Sequence, residues 1–195
     1  SDFEKSELAC AAANERLVDW ASRAHLDSRT WLRASALVAK ILGPFPWEEF
    51  PWRCGFGPGA STGIRRSRAS LQNKWALAAH VTEEALPYMS AFHKWAGMSQ
   101  LNRMLRITEG NRVTTVPKNY KKDRVIAIEP DWNAFLQKGV GGLIRSRLQR
   151  FGILRPDAQE INSALARLGS WTGTLATLDL RRASDSVSLA LCEAL

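Results

Sequence analysis

"RVTTVPKNYKKDRVIAI", residues Arg112–Ile128, decides the fold. It opens and closes on β-branched runs, Arg112–Val116 and Arg124–Ile128, whose side chains suit a pleated strand. A polar connection of lysines, Asn119 and Tyr120 separates them, so the stretch predicts two paired strands. Most of the sequence around it has helical spacing. The pair therefore turns a helical chain into an α+β one, helix-rich first and mixed afterwards.

Upstream, Trp31, Leu32, Leu37, Val38, Ile41 and Leu42 recur at helix spacing, with Asp27 or Ser28 as the expected cap. "GPFPW" (Gly43–Trp47) should end that helix, because proline cannot continue it and glycine accepts a left-handed cap. "PWRCGFGPGASTG" (Pro51–Gly63) is a loop by its glycine and proline content. A helical region is expected from Ser67 to Leu105, with a fresh start at Thr82-Glu83-Glu84.

Downstream, a helix should follow Pro130 and end near Arg150 and Gly152. Another should begin at Asp157, with Glu160 completing a capping box, and end at Gly169. "GTLATLDL" (Gly173–Leu180) predicts a strand and "SVSLALCEAL" (Ser186–Leu195) a helix. This order divides the chain into a helix-rich region 1–110, a mixed region with the basic segment 111–170, and a last region 171–195.

The 195 residues are 45% hydrophobic, enough for a real core. The formal net charge of +8 favours a polyanionic partner. No apolar run is long enough to span a membrane, and "SDFEKSELAC" (Ser1–Cys10) lacks the pattern of a signal peptide. Cys10, Cys54 and Cys192 are odd in number and far apart, which suits a reducing compartment. Without a CxxC or HxxxH pair a structural zinc site is not expected, and His25, His80 and His93 read as ordinary histidines. Most of the eight tryptophans read as core.

Two groups carry candidate chemistry. Asp179 would stand at the end of the last expected strand, where a carboxylate leaves the core and meets hard cations such as Mg²⁺. Asp185 follows after a short gap and either faces a substrate or caps the next helix. Lys118, Lys121, Lys122 and Arg124 lie on or beside the connection between the paired strands. They can serve phosphates, with Arg124 able to grip two oxygens, or be ordinary solvated cations of a turn. Tyr120 could stack on a base. Arg65, Arg66 and Arg68 could extend a nucleic-acid track or open a solvated helix. Arg145, Arg147 and Arg150 sit where cations suit a helix C-terminus. "GFGPGA" (Gly55–Ala60) formally matches a dinucleotide-binding pattern, but it lacks the preceding strand and the later acid, and so reads as a tight turn.

Three blocks together resemble a known family: "FGPGAS" (Phe56–Ser61), "VPKNYKKDRVIAIEPDWN" (Val116–Asn133) and "LDLRRASDSVSLALCE" (Leu178–Glu193). They look like the replicase β-subunit of levivirus-type positive-strand RNA bacteriophages. That resemblance implies an RNA-directed RNA polymerase with a right-hand fold, this chain holding fingers and the start of the palm. Asp179 then matches the first palm aspartate, a Mg²⁺ ligand of a two-metal site, and Asp185 the residue that senses the ribose 2′-hydroxyl. Lys118, Lys121, Lys122 and Arg124 match the basic fingers motif, with Arg124 as triphosphate clamp.

Implied partners are template RNA, nucleoside triphosphates and, in the bacterial cytoplasm, host elongation factors Tu and Ts and a ribosomal protein. The family's Gly-Asp-Asp motif does not occur in these residues, so the metal site is expected to be partial and the isolated chain inactive. A non-catalytic RNA-binding module, or one chain of a split polymerase, are the alternatives.

Overall fold

The computed structural model describes residues 2–22, 28–98, 105–120, 122–178, 180 and 183–195. Eight helices are described: α1 (Asp2–Ser22), α2 (Ser28–Leu42), α3 (Phe50–Arg53), α4 (Leu71–Leu77), α5 (Leu86–Trp95), α6 (Asp131–Arg150), α7 (Ala158–Thr172) and α8 (Leu189–Ala194). The described strands are β1 (His80–Val81), β2 (Arg106–Ile107), β3 (Arg112–Asn119) and β4 (Lys122–Ile128). Helix-rich with two small sheets, the chain is compatible with the α+β class. It divides into two compact units, Pro46–Ser146 and a unit of Ser1–Phe45 with Arg147–Leu195.

The core of the Pro46–Ser146 unit is aromatic. Phe56 packs against Trp75, Trp132 and Phe135, with ring centroids 5.2, 5.2 and 4.8 Å away. Val81, Met89, Phe92, Leu136 and Leu143 close around them. Burying aromatic side chains removes much apolar area from water, and the edge-on contacts add to it. The expectation that most tryptophans lie in the core is corrected: among those whose side chains are described, only Trp132 is buried. Trp47, Trp52, Trp95 and Trp171 are exposed.

β3 and β4 pair antiparallel, Arg112 opposite Ile128 through Val116 opposite Arg124. The strands run further than their β-branched cores. They take in most of the basic connection and close with Asn119 opposite Lys122, past a register irregularity between Pro117 and Asn119. The expected helical region Ser67–Leu105 does restart, with α5 beginning at Leu86 just past the expected Thr82–Glu84, but it is also broken by strand. A 3₁₀ turn (Arg66–Arg68), α4, β1 and α5 replace it, and β1 pairs parallel with β2. The break follows Ala78, which is extended. There the amides of Ala79 and His80 turn to the Asp131 carboxylate, both at 2.9 Å.

In the other unit, α8 and the 3₁₀ turn Ser184–Ser186 pack on α1. Cys10 Sγ donates to Asp185 O at 3.2 Å, and the Ala190 amide donates to Asn14 Oδ1 at 3.0 Å. Gly43, at φ 60°, ends α2, and its amide reaches Ala39 O at 2.7 Å. The expected strand at Gly173–Leu180 is absent among the described residues. Residues Leu175–Leu178 instead line a cleft beside α7. α7 passes the expected end at Gly169 and stops at Gly173, φ 67°. Nor does Asp157 cap it. Its carboxylate is taken by the Arg155 guanidinium, 3.1 Å from both oxygens. Asp27 lies outside the described residues, and Ser28 falls inside α2.

Candidate functional site

The β3–β4 hairpin carries the basic motif away from the core. Arg124 is opposite Val116, and Thr114 is opposite Ile126, so these four share one face. Ile126 and Thr114 are half-buried while Arg124 is exposed. The face therefore runs from a packed base to a charged end. Lys118 is exposed at the register irregularity, where a strand bends and re-aims its side chain. Neither Lys118 nor Arg124 has an ion-pair partner among the described residues. Tyr120 is 91% exposed in the turn. Lys122 begins β4, and Lys121 lies outside the described residues.

Glu129 fixes the base of this hairpin. Its two carboxylate oxygens accept from Asn111 Nδ2 at 3.2 Å and Gln137 Nε2 at 3.3 Å, and its carbonyl accepts the Thr62 amide at 3.0 Å. One residue thus ties the hairpin to α6 and to the glycine-rich loop.

That loop, Gly55–Gly63, is held by two lysines. Lys74, itself buried, donates to Gly57 O at 2.7 Å and Gly59 O at 2.6 Å, and Lys138 Nζ donates to Phe56 O at 3.3 Å. Burial pushes the Lys74 ammonium below its ordinary range, and the nearby Asp131 charge partly restores it. Asp131 is fully buried at the start of α6. A side chain at Gly63 would collide with its carboxylate, so only glycine fits there. Asn133 adds a second clamp: its Oδ1 accepts the Thr82 amide at 3.0 Å and its Nδ2 donates to Thr82 Oγ1 at 2.9 Å. Sequence reasoning missed Lys74, Asp131 and Asn133 as organisers. The available signal was "EPDWN", an acid and an amide at the start of a helix that follows a proline.

Arg65, Arg66 and Arg68 are all exposed around the 3₁₀ turn before α4. Among the described residues no hydrogen bond or ion pair joins them to the hairpin. Asp185 is exposed in its own 3₁₀ turn, beside the Ser184 hydroxyl at 3.4 Å. The turn does not cap α8, whose N-cap position is Ser188. Asp179, Arg181 and Arg182 lie outside the described residues. Among the described residues no group of three or more His, Cys, Asp or Glu converges to hold a metal, and no helix is long and apolar enough to cross a membrane.

Comparison with known proteins bears on the whole chain. The profile of a family described as RNA replicase, beta-chain, matches residues 1–195. The RNA-directed RNA polymerase subunit beta of Escherichia virus Qbeta is 42% identical over 198 residues, covering 99% of this chain and 33% of that protein. The corresponding subunit of Enterobacteria phage SP is 39% identical, covering 99% of this chain and 34% of its own length. The RNA-directed RNA polymerase beta chain of Escherichia phage MS2 is 43% identical over 160 residues, 78% of this chain and 29% of its own. The chain thus spans about a third of the length of these relatives.

Proposed function

The chain belongs to the RNA replicase beta-chain family, and from that premise we propose that it is the nucleotide-handling part of a phage RNA-directed RNA polymerase. In this reading it forms fingers and the beginning of the palm. The carrying observation is the hairpin, which is anchored at Glu129 and presents Lys118 and Arg124 as exposed cations without ion-pair partners among the described residues. Transfer of a nucleotidyl group needs a triphosphate held while a 3′-hydroxyl attacks the α-phosphorus and pyrophosphate leaves. Positioning and charge stabilisation dominate such reactions.

Arg124 is the proposed triphosphate clamp, because its planar fork pairs with two phosphate oxygens. Lys118, Lys121 and Lys122 supply further positive charge, and Tyr120 a stacking surface. Arg65, Arg66 and Arg68 are proposed RNA-backbone contacts. Asp185 is the proposed sensor of the ribose 2′-hydroxyl, and Asp179 the catalytic carboxylate and a Mg²⁺ ligand. Mg²⁺ supplies neutralisation of the phosphate charge, and its other ligands are expected from replicase sequence that this chain does not span. The described donor set does not by itself form a cation site, so the isolated chain is expected to be inactive. Template RNA and nucleoside triphosphates, host elongation factors Tu and Ts, a ribosomal protein and the bacterial cytoplasm complete the proposal.

Nucleotide affinity tests it. Loss of a charge-assisted, two-pronged contact costs about 1.5–3 kcal/mol, or roughly 10- to 150-fold in affinity. Arg124→Ala should weaken triphosphate binding by that factor while the fold is kept. Unchanged affinity would remove the clamp.

A further inference from the structure

A second basic surface lies apart from the hairpin, between α3 and α6. Trp52, Arg53, Lys138, Gly141, Gly142 and Arg145 line a cleft of about 530 Å³. We propose that this cleft is a binding site for single-stranded RNA, with phosphates on the three cations and a base against Trp52. The proposal rests on the replicase reading for the identity of the polyanion, but on its own geometry for the site.

Lys138, Gly141, Gly142 and Arg145 stand at i, i+3, i+4 and i+7 of α6 and share one face. Two turns separate the cations, roughly 10 Å along the axis. Between them on that face stand only Gly141 and Gly142, which carry no Cβ. Glycine inside a helix is unfavourable by about 1 kcal/mol against alanine, so each one calls for a reason. Gly139 has one, since a Cβ there would meet Cys54 Sγ at 2.5 Å and Phe50 Cε2 at 2.8 Å. Gly141 has none in the packing. Nothing lies within 4 Å of where its Cβ would be, and its φ is ordinary. Its bareness leaves an open floor that a sugar–phosphate backbone can approach. A Cβ at Gly142 would lie 3.4 Å from Arg53 Cδ, which places the Arg53 side chain along the edge of that floor.

No acid lines the cleft. Among the described residues Glu49 is the acid in ion-pair range of a cleft cation, its carboxylate 3.8 Å from Arg53, a long contact between two exposed groups. Arg145 has no ion-pair partner among the described residues. Lys138 already donates to Phe56 O, so its position is set. Trp52 is 78% exposed and meets Trp95 edge-on at 4.8 Å, which props the ring while leaving most of it in water. Cations alone would suit any polyanion. An exposed, propped indole beside a bare backbone floor is the combination that single strands use, phosphates on charge and bases on rings.

The test is binding of a short labelled oligouridylate to the 195-residue chain across a salt series. Gly141→Leu fills the floor, and leucine is a better helix former, so the variant should melt no lower than the parent yet bind RNA about tenfold more weakly. Trp52→Ala should lose roughly 5- to 150-fold, the range for one stacked base. Arg145→Gln should reduce the salt slope by about 0.7. The proposal is overturned if the parent binds no RNA, if Gly141→Leu and Trp52→Ala bind as tightly as the parent, or if polyglutamate competes as well as RNA. Arg124→Ala, read by triphosphate affinity, reports separately on the hairpin. Unaffected cleft variants alongside a weakened Arg124→Ala would remove the cleft alone.

Discussion

Replacing Asp131 by alanine should disconnect β1 from α6. The carboxylate is fully buried and accepts the Ala79 and His80 amides, both at 2.9 Å. Each such charge-assisted bond contributes about 1.5–3 kcal/mol, and removing the acceptor leaves two donors without their partner. Lys74, close enough for the Asp131 charge to raise its pKa, also loses a compensating anion. The two bonds share one acceptor oxygen and are not additive, so their loss costs about 3–5 kcal/mol. The unit Pro46–Ser146 has about 100 residues, for which total stability is about 5–15 kcal/mol. Asp131→Ala should thus remove a fifth or more of it and lower the melting temperature by roughly 12–40 °C. Asp131→Asn keeps the shape and one acceptor, and should cost about half as much. Urea titration of parent, Asp131→Ala, Asp131→Asn and Lys74→Met, with the double variant, measures these quantities. If Asp131→Ala costs less than about 0.5 kcal/mol, the size of an ordinary surface change, the carboxylate does not hold β1 to α6.

Other outcomes follow from single residues. His93 is buried against Trp132, ring centroids 4.6 Å apart, and among the described residues neither ring nitrogen has a hydrogen-bond partner. Burial lowers its pKa, so below about pH 6.5 the unfolded state takes up more protons and stability falls with acid. His93→Phe should flatten that acid limb and add about 1 kcal/mol at neutral pH, as chemical denaturation would show. Gly139→Ala should lose about 1–3 kcal/mol by clashing with Cys54 and Phe50, whereas Gly141→Ala should gain about 1 kcal/mol. A reversed order in thermal melts would contradict the packing. Burial pushes the Cys54 thiol up to about 12, so at pH 8 iodoacetamide should label exposed Cys192 well before Cys54. Peptide mapping reads the order.

Much of the site's scaffold was legible because it is local. β-branched runs announced β3 and β4, and the helix after Pro130 ended at Arg150 as its pattern required. What failed depended on distant partners. "GTLATLDL" has strand-forming residues, yet a strand needs a neighbour to pair with, and its described residues pair with none. The Asp157 capping box lost to a local rival, Arg155. The helix expected through Ala79 was broken by a carboxylate 51 and 52 residues away in sequence. Lysines and Asn119 hid the length of the hairpin, since such residues have low strand propensity and the ladder itself carries them. Of the candidate site, the basic hairpin was readable, while the bare floor at Gly141 needed its surroundings to be seen.

RNA synthesis by a replicase into which this chain is grafted tests the proposed roles of Asp179 and Arg124 together. It would replace the matching third of the Qbeta polymerase beta subunit, to which it is 42% identical. Incorporation of labelled nucleotide into template-directed RNA is then measured for the graft and for its Asp179→Ala and Arg124→Ala variants. Synthesis is expected from the graft, none with Asp179→Ala, and a raised nucleotide KM with Arg124→Ala. Synthesis by the Asp179→Ala graft at the parent graft's rate would contradict it.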